Sequence, residues 1–387
     1  MKGSGEAERP HKGTVLENDF FRLDLDRDTG TIEHLIDKSL DQDLVDGEAE
    51  WKFLAFIYET LGYRQQLEQY KLDEFERTLP DRVRIHDGID GEIWKSLRIS
   101  GASQGCLGDE GVQCEIRLYH HTPRIEFLFT IRKREERNAE GIYVAFPFSL
   151  ADSKIGYEAQ GGTVSPGINQ MPGSSSDWHM VQNFACVRNS RAQIIMACDQ
   201  IPLMQFGGIN LGRFQYTAKP EKPHCYSWVM NNYWTTNFCA SQSGEFRWSY
   251  QLTTSKDLSD SAATRFGWGC RVPIVSRVFP AGAAPGPLPK VSLVREPPPS
   301  NLLMVSAKPS VDKMGIVFHW REVDGTACFL DLGSVFDPSL FASFREVNIL
   351  EEPIAALDGP VRIEAHGVKF IQALFKAPAR GDDQDDP

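Results

Sequence analysis

Asn231, Asn232, Tyr233, Trp234, Thr235, Thr236, Asn237 and Phe238 are consecutive. Side-chain amides donate to and accept from hydroxyls, and an indole face covers the apolar side of a pyranose ring. The residue types therefore point to sugar recognition, with Asn232, Trp234 and Asn237 as the candidate contacts. A second reading stands beside it: the amides bond backbone at a strand entry, and Trp234 fills core. Asp177, Trp178 and His179 follow a Gly/Ser-rich stretch, Gly173 to Ser176. Exposing an indole in such a loop has a free-energy cost. Trp178 is expected either to stack on a sugar or to pack against another domain, and Asp177 and Trp178 join the candidate list. An acid and base role for Asp177 and His179 rests on a spacing that arises often by chance.

Other chemistries find little support. A retaining glycosidase needs a carboxylate nucleophile and a paired acid/base on facing walls of one pocket, and the sequence singles out no such pair. His120 and His121 are adjacent on a strand-like stretch, so their side chains point to opposite faces and do not share a metal without distortion. Gly161-Gly162 and Gly207-Gly208 read as turns, because neither is followed by the Lys and helix start of a phosphate loop. No catalytic residue, metal ligand or cofactor is assigned. The eight cysteines contain no CxxC pair, which argues against a zinc ribbon or thioredoxin-like site. Buried free thiols in a reducing compartment are the expectation. The net charge of −12 argues against nucleic acid and anionic membranes as partners. No apolar run reaches the roughly 18 residues needed to span a bilayer. The first ten residues lack the apolar core of a signal peptide, so a cytoplasmic location is expected.

The elements that must position these residues are mostly strands. Phe21, Leu23 and Leu25 alternate with charged residues, as do Cys114, Ile116 and Leu118. Ile125, Phe127, Phe129 and Ile131 alternate with Arg124, Glu126 and Thr130, and Phe246, Trp248, Tyr250 and Leu252 with Glu245, Arg247, Ser249 and Gln251. A period of two with one apolar face marks an antiparallel strand packed on one side. Helical patterning is scarce. Tyr63 to Arg77 is expected to hold a short helix or an ordered excursion, and Ser339 to Glu346 one or two helical turns. Composition shifts near Phe279, where the Pro/Gly-rich stretch Pro280 to Pro289 cannot pair inside a sheet. Further short strands follow: Leu302 to Ser306, Gly315 to Arg321, Ala327 to Leu332, Arg345 to Leu350, Val361 to Glu364 and Phe370 to Phe375. The expectation is an all-β chain: a linker or disordered start at 1–14, a large antiparallel sandwich at 15–275, a linker at 276–299, a small β-sandwich at 300–378 and an acidic tail at 379–387.

Four segments, in order along nearly the whole chain, carry a family resemblance. The first is Leu16 to Asp26 with Thr29 to Ile32 and Leu35 to Lys38. The second is Tyr143 to Phe148, continuing to Gln170-Met171-Pro172-Gly173-Ser174 and Asp177-Trp178. The Asn232/Trp234/Asn237 cluster is the third. The fourth is Leu303 to Ser310 with Arg321-Glu322 and Asn348 to Pro353. Together they resemble the C-terminal β-domains of family 38 glycoside hydrolases, the α-mannosidases. The resemblance implies a mutarotase-like β-supersandwich followed by a small β-sandwich, packed on a metal-dependent, retaining α-mannosidase barrel. It implies a mannose-containing glycan as ligand, and the barrel or a second copy as protein partner. Its zinc is expected only in the barrel, whose His-x-Asp motif is absent from this sequence. On this reading the chain supports the barrel and contributes to glycan binding without being catalytic alone. Trp178, Tyr233 and Trp234 are expected at the edge of an exposed apolar patch facing the partner. Two alternatives remain open: a freestanding carbohydrate-binding protein, and an aldose epimerase-like enzyme, for which no convincing Glu/His pair is assigned.

Overall fold

The computed structural model describes residues 9–69, 71–174, 176–198, 200–211, 219–234, 236–272, 274–275 and 292–376. Residues 1–8 of the expected linker start, 276–291 of the expected linker and the 379–387 tail lie outside them. The chain divides into two compact units. One comprises the described residues up to Leu258 with Phe266–Val272; the other comprises Ser259–Arg265 with the described residues beyond Val272. Among the described residues the sheets are antiparallel throughout: eleven-, six- and four-stranded in the first unit, five- and two-stranded in the second.

The alternating sequences form the middle of the eleven-stranded sheet. Trp94–Ala102, Val112–Tyr119, Ile125–Lys133 and Gly244–Ser255 lie side by side in that order. Phe127 is paired with Tyr250, and Phe129 with Trp248. The Phe129 and Trp248 rings stack at 5.2 Å. Every second residue of Val112–Tyr119 and Ile125–Lys133 is buried, while Glu115, Arg117, Leu128 and Thr130 face the other way.

The six-stranded sheet has a different logic. Its Glu140–Pro147 strand lies between Phe56–Leu61 and His224–Asn231, and all eight of its residues are buried. Ile142, Val144 and Phe146 enter the main core, where Phe146 meets Phe53, Phe127 and Tyr250. Tyr143 and Ala145, on the opposite face, join a second cluster with Ile57, Tyr226, Trp228 and Tyr233. A strand covered on both faces shows an apolar run instead of alternation, as Tyr143-Val144-Ala145-Phe146 does. Each phenylalanine so buried contributes about 1.5–3 kcal/mol.

The two helical expectations have different outcomes. Tyr63 to Arg77 holds a single 3-10 turn, Arg64–Gln66, then the strand Phe75–Thr78 against Phe56–Leu61. Ser339 to Glu346 is not helical: Phe341–Val347 is a strand paired on both sides, with Phe341 in the core. Tertiary pairing overrides its local propensity. Asp260–Arg271 is a helix that the sequence pattern hides, because Gly267 and Gly269 lower its intrinsic propensity by roughly 1 kcal/mol each. No helix among the described residues is long and apolar enough to cross a membrane. In the second unit the sheets close on a core of Phe318, Trp320, Phe336, Phe341 and Ile371.

Candidate functional site

The Asn/Trp stretch leaves the end of the His224–Asn231 strand and lies beside the start of Glu140–Pro147. Asn232 is 4 % exposed. Its Oδ1 accepts from the Glu140 amide at 2.7 Å. Its Nδ2 donates to the carbonyls of Asn138 at 2.9 Å, Ala240 at 3.0 Å and Glu136 at 3.3 Å. One amide thus bonds four backbone groups in two stretches of chain, and both ends of the side chain are used. Trp234, two residues on, is 45 % exposed. Asn237 is exposed with a φ of 61°, the left-handed region that asparagine tolerates better than most residues.

Tyr233 does not lie on the surface as expected; it is 2 % exposed. Its hydroxyl donates to Glu59 at 2.5 Å, and its ring centroid is 5.9 Å from that of Trp228. Glu59, fully buried, also accepts from Tyr143 at 3.2 Å and from Arg77 Nε at 2.5 Å. Burial pushes the Tyr143 and Tyr233 hydroxyls well above their ordinary pKa, so both stay protonated and donate. Gly141 makes room for this arrangement: a Cβ there would come within 2.2 Å of the Tyr233 hydroxyl.

Trp178 is half-buried and bridges inside and outside. Its ring is 5.6 Å from Trp228 and 5.6 Å from Trp234, edge-on to both. Asp177 is 3 % exposed and His179 5 %. His179 sits between the rings of Tyr157 and Phe206, with Gln170 at 3.2 Å. Burial lowers its pKa to about 4, so it is a neutral core histidine at neutral pH. The structure therefore brings Asn232, Trp234 and Trp178 together, and keeps Asp177 and His179 inside.

Beside Trp234 is a cleft of about 240 Å³, bounded by Lys133, Glu140, Asn231, Asn232, Trp234 and Phe238. Lys133 and Glu140 form a buried ion pair at 2.7 Å on its floor, and Tyr58 donates to Glu140 at 2.7 Å. The loop is held from outside by Arg64. Its guanidinium donates to the carbonyls of Asn232, Trp234 (3.0 Å) and Arg137 (2.7 Å), and lies over the Phe238 ring. Sequence reading missed Arg64, Glu59 and Arg77, because nothing local marks a residue whose partners are far away in the chain.

His120 pairs with Asp90 at 3.2 Å, and its ring is 6.4 Å from that of His121. No group of three His, Cys, Asp or Glu among the described residues is placed to hold an ion. None of the eight cysteines is in a disulfide among the described residues. Cys106, Cys114, Cys186, Cys198 and Cys225 are buried, whereas Cys239, at the rim of the Trp234 cleft, is exposed against expectation.

Residues 16–196 match the family model described as the glycosyl hydrolases family 38 C-terminal domain. Among solved structures, an alpha-mannosidase from Enterococcus faecalis V583 matches with a TM-score of 0.65 at 11% identity, over 96% of this chain and 43% of that one. A glycosyl hydrolase family 38 protein from Enterococcus faecalis matches with 0.61 at 12%, over 96% and 45%. A galactose mutarotase-like protein from Lactobacillus casei ATCC 334 matches with 0.36 at 10%, over 62% and 99%. No curated protein matches the sequence. The chain spans less than half the length of the two Enterococcus proteins, and at these identities the likeness is one of fold. The family likeness is therefore to the glycosyl hydrolases family 38 C-terminal domain, and it spans residues 16–196.

Proposed function

We propose that the chain is the carbohydrate-associated β-region of an α-mannosidase-like hydrolase. It supports the catalytic domain and adds a contact for a mannose-containing glycan at Trp234. The observation that carries this reading is the exposed Trp234 indole, held over half-buried Trp178 beside a polar cleft. An exposed indole whose backbone carbonyl is clamped by Arg64 is pre-ordered, which lowers the entropy lost on stacking a sugar. Asn237 reaches solvent on the same loop and is the amide available to sugar hydroxyls. Asn232 and Asp177 act by holding the two loops in place. Hydrolysis, and the zinc that the family resemblance implies, belong to the catalytic domain.

Calorimetric titration with a mannose oligosaccharide tests this. The expected result is binding that Trp234→Ala weakens by roughly tenfold, the scale of a lost aromatic contact. Absence of heat with the unmodified chain rejects the glycan contact. An aryl α-mannoside assay with added zinc tests the division of labour. No turnover is expected from the chain, and turnover abolished by one Asp or Glu substitution contradicts it.

A further inference from the structure

The polar side of the eleven-stranded sheet carries a second cleft, of about 590 Å³. Ligand pockets typically run from roughly 300 to 1,000 Å³. Its walls come from neighbouring strands in fixed register. Arg98 stands between His86 and Glu115, and the row continues through Leu128 to Ser249. In the next row Ser100 pairs with Gln113, Gln113 with Thr130 and Thr130 with Arg247. These hydroxyls and amides offer both donors and acceptors to a hydroxylated ligand.

The charges in the cleft are not balanced. Glu115 is bonded by Arg117 at 2.8 Å, and Arg84 stands 3.5 Å from Glu110. Arg247 pairs with Glu245 at 2.7 Å. Arg98 is exposed, and its guanidinium has no ion pair or hydrogen bond among the described residues. A chain of net charge −12 thus holds an unmatched, always-charged cation in a cleft whose carboxylates are already engaged. Guanidinium is matched best by a carboxylate or phosphate, which accepts two parallel hydrogen bonds.

The geometry points to a binding site for a small sugar bearing an anionic group, its carboxylate or phosphate on Arg98 and its hydroxyls on the Gln113 and Thr130 row. This site is separate from Trp234 and does not depend on the role given to that residue. Titration of the chain with glucose 6-phosphate, glucuronate, glucose and inorganic phosphate tests it. One or both anionic sugars are expected to bind at least roughly tenfold more tightly than glucose and than inorganic phosphate. The tighter of the two identifies phosphate or carboxylate as the recognised group. Arg98→Gln, at an exposed position, is expected to keep the melting temperature and abolish that preference, while Trp234→Ala leaves it intact. If Arg98→Gln lowers the melting temperature, Gln113→Ala serves as the second variant and is expected to weaken the anionic sugars several-fold. Equal binding of glucose, equal binding of inorganic phosphate, or an unchanged preference in a folded variant overturns the proposal.

Discussion

Asn232 and Trp234 are two residues apart, yet they belong to different kinds of region. Asn232 is buried, and its side-chain amide is spent on four backbone groups. Trp234 projects from the same loop with nearly half its surface in solvent. The polar face around Arg98 adds a further contrast, because its central guanidinium has no protein partner among the described residues. A polar residue whose bonds are all made inside the fold builds the site. One whose surface or charge is left open is available to a ligand. Residue type alone does not separate the two.

The buried side of this contrast breaks most visibly at Glu59. Glu59→Ala leaves Arg77 without its carboxylate and removes the acceptor that two buried tyrosine hydroxyls share. Breaking a buried pair in this way costs about 3–5 kcal/mol, measurable as a lower midpoint in urea unfolding. Asn232→Ala removes the amide that joins Glu140 to three carbonyls. The expected loss is about 2–3 kcal/mol, the scale of buried groups left unsatisfied.

His179 sharpens the comparison through pH. In the unfolded chain its imidazole takes a proton near the ordinary pKa of roughly 6.5, but in the folded chain only near about 4. Between those values the unfolded state binds more protons, so stability falls as pH drops through the window, by roughly 1–3 kcal/mol. His179→Phe is expected to flatten that dependence in unfolding experiments at pH 7 and pH 4.5. The smallest stability effect belongs to Trp234→Ala, expected within about 1 kcal/mol because half-exposed positions carry little packing.

Much of the fold was legible in the sequence because one-sided strands announce themselves by alternation. Ile125 to Ile131 and Phe246 to Leu252 face the core as their pattern implies. The strand Phe341–Val347 was not legible, since its pairing partners override a helix-compatible composition. Nor was the helix Asp260–Arg271, diluted by glycine. At the site, the Asn/Trp cluster stood out by residue type, but type did not separate Tyr233, turned inward onto Glu59, from Trp234, turned outward. That difference is set by Glu59, far upstream. The Arg98 cleft was hidden for a related reason: its polar residues were visible on each strand, while the register that aligns them is a property of the sheet.

The measurement that tests the account most directly compares two variants of the one loop. Affinity for a mannose oligosaccharide is measured by NMR titration for Asn232→Ala and Trp234→Ala, each at a temperature where the variant is fully folded. The account predicts that Trp234→Ala weakens binding by roughly tenfold and that Asn232→Ala stays within a few-fold of the unmodified chain. Full affinity in Trp234→Ala, with binding lost in folded Asn232→Ala, would contradict it.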